Sequence, residues 1–297
     1  MTKPKLLLGA HMSIASGVEK ALYAGASIGC TAIQLFTGSN RQWILKKLTP
    51  ESIDLFKKAQ QETGITSVIA HASYLINLGS TSPQILQKSL HALFADLVRC
   101  EQLSIPFLVL HPGAGIADAE NCMLQVSQSL NQIFEEYQGP VEILLENMAG
   151  QGTSVGYTFE QLAFIRANIK HNKRIGICFD TCHAWAAGYD ISTAITYQQV
   201  WEDFDTIIGL KHLKAIHLNG SKKGLGSHVD RHAHIGQGLL PIEAFKLLIN
   251  DERFFDIPKI IETPKETDLL ILASHHKNLL TVKSLISTKT QDKLSNF

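Results

Sequence analysis

The sequence predicts one α/β domain over residues 1–297, a (β/α)8 barrel of the TIM-barrel class with a short polar C-terminal tail. Three observations predict it. Eight short apolar runs recur along the chain, and their starts lie 25, 35, 40, 35, 34, 39 and 44 residues apart. Each gap is long enough for one crossover helix, the connection that parallel strands need. The runs are continuous rather than alternating, as strands covered on their outer face must be. Eight βα units in about 250 to 300 residues suffice to close a barrel. A doubly wound open sheet is the competing arrangement of the same units.

The first two candidate strands are Leu6 to His11 and Thr31 to Phe36. Thr49-Pro50-Glu51 then signals a helix start, with proline in the first turn, where its missing N–H has no intrahelical partner to lose. The third strand, Thr66 to His71, is followed by Ser82-Pro83, a second start signal. Behind it, Ile85, Leu86, Leu90, Leu93, Leu97 and Val98 recur at helical spacing and line one face. The remaining candidates are Pro106 to His111, Val141 to Glu146, Ile175 to Asp180, Lys214 to Leu218 and Pro258 to Glu262, with Leu240-Pro241 opening the helix before the last. No Gly/Ser-rich linker or charge run marks a second domain, and the polar tail after about Thr288 is expected to fray.

Hydrophobic residues make up 45% and charged residues 18%, enough apolar material for a large core and too much for intrinsic disorder. Lys+Arg 27 balance Asp+Glu 27, which excludes a basic tail or patch dominating the surface. The longest apolar stretches fall far short of the roughly 18 to 20 residues of a membrane span, and the start of the chain is too short in apolar residues for a secretory signal. Five scattered cysteines suit a reducing compartment better than a disulfide framework, so a soluble cytoplasmic protein is expected. The unusual count is 13 histidines, almost half the number of lysines and arginines together.

Six of the eight candidate strands end in a residue able to bind metal: His71, His111, Glu146, Asp180, His217 and Glu262. His11 ends a seventh. One such histidine alone would read as a hydrogen-bonded structural residue; six endings together do not. Strand C-termini of a barrel converge on one face, so these side chains would meet in one bowl. Asp180-Thr181-Cys182-His183 sets a second ligand three residues on, and Asp230-Arg231-His232 sets two more on one side of an extended backbone. The set holds five histidines and four carboxylates, a mixture that favours zinc with open positions for water. Nine ligands with one carboxylate bridging would serve three ions. His228 and His234 flank the Asp-Arg-His motif as possible supporting groups, and His11 could orient a ligand. His91, His171, His212, His275 and His276 read as solvated or capping residues, and Cys178 and Cys182 as a buried, inert pair. Ala149-Gly150-Gln151-Gly152 could offer backbone N–H groups to a phosphate, a weak signal because many βα loops carry glycine for turn geometry alone.

Several longer strings occur in register: Gly9-Ala10-His11-Met12-Ser13, His71-Ala72-Ser73-Tyr74-Leu75-Ile76-Asn77-Leu78, Leu108-Val109-Leu110-His111-Pro112-Gly113, Glu146-Asn147-Met148-Ala149-Gly150-Gln151-Gly152, Phe179-Asp180-Thr181-Cys182-His183, His217-Leu218-Asn219 and Asp230-Arg231-His232. Together, from about residue 5 to 280, they resemble the endonuclease IV family, the zinc-dependent apurinic/apyrimidinic endonucleases of DNA base-excision repair. The resemblance implies a barrel with three Zn2+ ions: one on His71, His111 and Glu146, a second on Glu146, Asp180, His217 and Glu262, and a third on His183, Asp230 and His232. It implies cleavage of the phosphodiester 5′ to an abasic site in duplex DNA, leaving a 3′ hydroxyl and a 5′ deoxyribose phosphate, with Glu146 and Glu262 in catalytic positions. The Glu146-bridged pair would hold the attacking water and the third zinc would face the departing 3′ oxygen. Arg41, in Ser39-Asn40-Arg41-Gln42-Trp43, and Tyr74-Leu75 would enter the base stack beside the extruded nucleotide, which costs less to flip because it lacks stacking and pairing. The residues by themselves favour ordinary packing for Tyr74 and Leu75. Four of the 27 acids would be spent on zinc, and the three ions would make the loaded protein positive at the bowl.

Departures from the family pattern fall at Ala72, where Asp is frequent, Gly220, where Asp is common, His228, where Arg is usual, and Ser16, where a glycine pair is common. None is a ligand position; they bear on ligand orientation and phosphate contacts. Two other functions fit the barrel: a metal-dependent sugar isomerase or epimerase, whose sites hold fewer ions and more carboxylates, and a non-catalytic damage-binding protein. A monomer is expected.

Overall fold

The structure, a computed structural model, describes residues 4–115, 118–262 and 268–296. The strands are β1 (Leu8–Met12), β2 (Ala32–Phe36), β3 (Ser67–His71), β4 (Phe107–Leu110), β5 (Glu142–Glu146), β6 (Ile175–Asp180), β7 (Leu213–His217), β8 (Gly220–Ser221), β9 (His232–Ala233) and β10 (Lys259–Ile261). All but β8 and β9 are parallel and form one closed barrel, so the open-sheet alternative falls. Closure is made by β1, which pairs β2 on one side and β10 on the other through Gly9. A Cβ on Gly9 would lie 1.6 Å from the Ala32 carbonyl oxygen, so this seam admits only glycine.

Helices α1 (Val18–Ser27), α2 (Pro50–Thr63), α3 (Pro83–Gln102), α4 (Ala119–Glu136), α5 (Phe159–Ala167), α6 (Thr181–Ala187), α7 (Ala194–Ile207), α8 (Ile242–Ile249) and α9 (Asp268–Ser284) follow the strands, and α10 (Thr288–Gln291) ends the chain. Proline starts α2 and α3 as expected, with the side chains of Thr49 and Ser82 accepting from the Ser52 and Ile85 N–H groups. Pro241 instead stands one place earlier, at the cap of α8. In α3 the buried face is turned from the expected one: Ile85 is 42% exposed, while Asp96 and Arg99 lie inside with Leu93 and Leu97.

Two packing layers result. Between sheet and helices lie side chains such as Leu22, Phe56, Leu130, Phe134, Trp201 and Phe204. Inside the barrel lies a smaller cluster of Ala32, Ile69, Val109, Leu144, Cys178, Ala215 and Ile260. Each full burial of a Leu or Ile stabilises by about 1.5–3 kcal/mol. Strand period two then fixes what comes next inward, at the C-terminal mouth: Gln34, His71, His111, Glu146, Asp180, His217 and Glu262.

The tail does not fray. Leu294 is buried, the Ser295 N–H donates to the Pro4 carbonyl at 2.8 Å, and the Leu6 N–H donates to Asn296 Oδ1 at 2.9 Å. An apolar anchor and free backbone partners below β1 outweigh the polar composition on which the expectation rested. Among the described residues no helix is long and apolar enough to cross a membrane, and the five cysteines are buried, none of them in a disulfide.

Candidate active site and metal centre

Glu146, at the end of β5, is the centre of the bowl and fully buried. Its Oε2 lies 3.3 Å from His71 Nε2 and 3.1 Å from His111 Nε2. Its Oε1 lies 3.0 Å from His217 Nδ1 and 3.3 Å from His183 Nδ1. His217 Nδ1 also faces Glu262 Oε2 at 3.3 Å and Asp180 Oδ2 at 3.8 Å. Further out, Asp230 joins His183 Nε2 and His232 Nε2, each at 3.3 Å. Among the described residues the imidazole and carboxylate donors gather in three groups, each within 4.8 Å: His71, His111 and Glu146; Glu146, Asp180, His217 and Glu262; and His183, Asp230 and His232; a fourth group joins Asp180 and His232 to the Cys182 thiol. The first three groups hold the nine residues singled out from sequence, with Glu146 in two of them.

Local structure explains how they meet. Asp180 ends β6 and caps α6, its Oδ1 accepting the His183 N–H at 2.8 Å, so one carboxylate fixes the start of the helix that carries His183. His232 lies on β9, whose pairing with β8 turns the Asp230 segment back over the bowl. That two-stranded element is too short to be recognised from its residues.

The rings are oriented by their second nitrogens. His71 Nδ1 pairs with the Ala72 carbonyl at 2.7 Å, His183 Nδ1 with the Asn147 carbonyl at 2.9 Å and His232 Nδ1 with the Glu262 carbonyl at 3.2 Å. A carbonyl only accepts, so each Nδ1 carries a proton and Nε2 is the nitrogen turned to the cluster, whose lone pair a cation would take in place of a proton. His217 is reversed: Nε2 donates to Gln34 Oε1 at 2.8 Å and leaves Nδ1 facing the carboxylates. His183 Nε2 and His232 Nε2 are buried without a hydrogen-bond partner. Lone pairs aimed at one another's carboxylates, on rings locked from behind, are the chemistry of a donor set for cations.

The electrostatics agree. Burial pushes the Glu146 carboxyl up, but the imidazoles around it, His217 and His111 foremost, hold it well below the usual carboxylate range. Burial pulls His183 down, yet Asp180, Asp230 and Glu146 raise it well above the usual imidazole range. Positive charge is what this cluster calls for.

Three polar residues absent from the sequence-based site complete it. Gln34 Nε2 donates to Glu262 Oε1 at 2.7 Å while its Oε1 takes the His217 proton. Asn147 Oδ1 accepts the Asp180 N–H at 2.6 Å. Asn219 Nδ2 donates to Asp180 Oδ2 at 2.6 Å and its Oδ1 accepts the Glu262 N–H at 2.8 Å.

His11 faces Glu262 Oε1 at 3.5 Å and takes a hydrogen bond from Gln34 at 2.9 Å. His228 does not reach the donor groups: its Nδ1 lies 3.2 Å from the Ala149 carbonyl, under the glycine loop. His234 meets Asn278 Nδ2 at 3.0 Å, outside the donor groups. His275 corrects an expectation: it is 3% exposed rather than solvated, supports the His11 backbone, and burial lowers its pKa to about 4. Cys182 lies near Asp180 and His232, but burial pushes its thiol up to about 12, away from a thiolate. Arg41 is exposed in the loop after β2. Tyr74 is 53% exposed, its ring 5.4 Å from that of His71 and 5.8 Å from that of His111, with half-buried Leu75 beside it. Tyr74 therefore lies over the first donor group and is not a core residue.

A family model described as xylose isomerase-like TIM barrel matches residues 22–285. The chain is 47% identical over 280 residues to a Chloroflexus aurantiacus protein called probable endonuclease 4, covering 94% of this chain and 97% of that one. It superposes on the crystal structure of endonuclease IV from Thermus thermophilus with a TM-score of 0.82 at 34% identity, covering 94% and 98% of the two chains. A D-tagatose 3-epimerase-like protein shares the fold alone, at 19% identity and a TM-score of 0.67 over 94% of this chain and 98% of that one. Sequence likeness over nearly the whole length, on a barrel whose mouth gathers these donors, leaves one assignment: the chain belongs to the endonuclease IV family of xylose isomerase-like TIM barrels.

Proposed function

We propose that this protein is a zinc-dependent apurinic/apyrimidinic endonuclease. It hydrolyses the phosphodiester 5′ to an abasic site in duplex DNA, leaving a 3′ hydroxyl and a 5′ deoxyribose phosphate. The observation that carries the reading is the trio of donor groups at the mouth of the barrel, two of them sharing Glu146. Three Zn2+ are assigned to them: one with His71, His111 and Glu146, one with Glu146, Asp180, His217 and Glu262, and one with His183, Asp230 and His232. Five imidazoles among nine donors suit zinc better than magnesium or manganese. When bound, zinc lowers the pKa of water and neutralises charge gathering on the phosphate.

The chain's own groups do the rest. Glu262 is 13% exposed where Glu146 is 1%, so of the two glutamates it is the one that meets the bowl and can take a proton from the attacking water. Gln34 and Asn219 hold it there through hydrogen bonds to both of its oxygens. Tyr74, Leu75 and Arg41, on two adjacent loops, fill the space vacated in the stack when the abasic nucleotide swings into the bowl. The enzyme acts as a monomer in the cytoplasm on damaged duplex DNA.

The test is to purify the protein, measure zinc per chain by elemental analysis, and assay a duplex bearing a single abasic site. Incision on the 5′ side with three zinc ions bound is expected. No incision by fully zinc-loaded protein overturns the reading, and tight binding without incision would identify a damage-binding protein instead.

A further inference from the structure

Helix α3 buries two charges that the chemistry above does not use. Asp96 is 4% exposed and Arg99 9%, three residues apart on one helical face. Among the described residues neither bonds the other. Asp96 Oδ1 accepts the Thr37 hydroxyl at 2.8 Å, and the carboxylate also accepts the Ser73 N–H. Arg99 Nε donates to the Thr37 carbonyl at 2.9 Å, Nη2 to the same oxygen and Nη1 to the Lys46 carbonyl. Thr37 and Lys46 bracket the loop that carries Arg41, and Ser73 opens the segment that carries Tyr74 and Leu75. The two segments are also tied to each other, because Ser73 Oγ donates to the Asn40 carbonyl at 3.0 Å and accepts the Leu75 N–H at 3.2 Å.

Burying a carboxylate and a guanidinium without pairing them is a poor way to stabilise a helix; apolar residues of the same volume serve better. Here, among the described residues, every side-chain hydrogen bond these two make goes to the two loops. We propose that Asp96 and Arg99 are positioning residues that clamp loops 37–46 and 73–75 into one arrangement, so that Arg41, Tyr74 and Leu75 meet a lesion already in place. The inference rests on the DNA-contact reading given above. A loop ordered before binding loses less freedom on binding, so the clamp acts on lesion affinity and leaves the donor groups alone.

The test compares binding of the metal-loaded protein to a duplex carrying a tetrahydrofuran abasic analogue and to the same duplex intact. Arg99→Met is expected to weaken lesion binding about ten-fold by releasing both loop ends, with KM for an abasic duplex raised and kcat within about two-fold. Binding to intact duplex and metal per chain should stay at the wild-type level, and Arg99→Lys, which can still reach one carbonyl, should recover part of the loss. Unchanged lesion affinity, or equal losses on both duplexes, would overturn the clamp. If Arg99→Met does not fold, Thr37→Val removes a single hydroxyl and should weaken lesion binding about three-fold; no change overturns the proposal equally. Arg41→Ala and Tyr74→Ala separate the two readings. Losses in these with none in Arg99→Met overturn the clamp alone, and no loss in any of the three overturns the DNA-contact reading with it.

Discussion

Replacing Gln34 by leucine isolates what holds the second donor group in shape. The side chain is completely buried and makes two bonds that matter, 2.8 Å to His217 Nε2 and 2.7 Å to Glu262 Oε1. Leucine fills the same space and supplies neither. The bond to neutral imidazole contributes about 0.5–1.5 kcal/mol and the bond to a carboxylate about 1.5–3 kcal/mol. Removing the buried amide returns some of this, because an amide is itself costly to bury. A net loss of about 1.4–2.8 kcal/mol corresponds to 10–100-fold, the usual range for partners behind metal ligands. His217 would also lose the acceptor that keeps its proton on Nε2, and the ring could turn or protonate on Nδ1. Competition against a chelator of known zinc affinity should show one of three ions released 10–100-fold more readily, with the other two unmoved. Equal release of all three, or none, would refute the idea that Gln34 orients one group specifically.

Glu262→Gln should abolish turnover while damaged duplex still binds, read by single-turnover incision beside a binding assay; wild-type incision would sink the role given to that carboxylate. Tyr74→Ala should lose affinity for abasic duplex without losing metal, since its ring lies over His71 and His111 and it is not one of the nine donors. Lys259 gives a pH prediction at the opposite end of the barrel. Its ammonium is fully buried, and burial lowers its pKa from 10.5 to about 7 against the weaker pull of Asp256 and Asp251. Between these values the unfolded chain binds the proton and the folded chain does not, so this group makes stability rise with pH from about 7 toward 10.5; the cost is fully present below 7. The full shift corresponds to at most about 5 kcal/mol, less what the Phe254 and Ile257 carbonyls return by accepting from Nζ. Lys259→Met should therefore be more stable than wild type in urea at pH 6, and the difference should shrink or reverse by pH 10. A difference independent of pH would contradict this.

The fold and most of the donor set could be read from the sequence because one physical rule generates both. A parallel strand covered on its outer face and packed inside must be apolar throughout, so a histidine or carboxylate closing such a run stands out. Gln34 was missed although it obeys the same rule. It follows Ala32 by two residues, as His71 follows Ile69 and Glu146 follows Leu144, but Leu35 and Phe36 carry the run past it and hide the ending. Counting inward positions rather than strand ends would have found it. Asn147 follows the ligand Glu146 and Asn219 lies two residues after His217; their work is visible only once Asp180 and Glu262 are in place beside them. In α3 the leucine periodicity pointed to the right helix and misjudged its buried face, because Asp96 and Arg99 are inside for loops that lie far away in sequence. The C-terminal tail was misread because composition says nothing about backbone partners waiting below β1.

The inner layer also bears on which changes in length the chain can survive. Seven side chains from Gln34 to Glu262 owe their direction to strand parity, so inserting or deleting one residue within a barrel strand would turn its functional group outward among the helices. Such a change would cost the site more than any single substitution in it. The turns beneath the barrel carry no such constraint. Drift in length should therefore collect there, while the strands stay fixed in number of residues and remain free only in identity. That division would let a barrel of this kind acquire new chemistry by exchanging side chains at one depth, without relearning how to close.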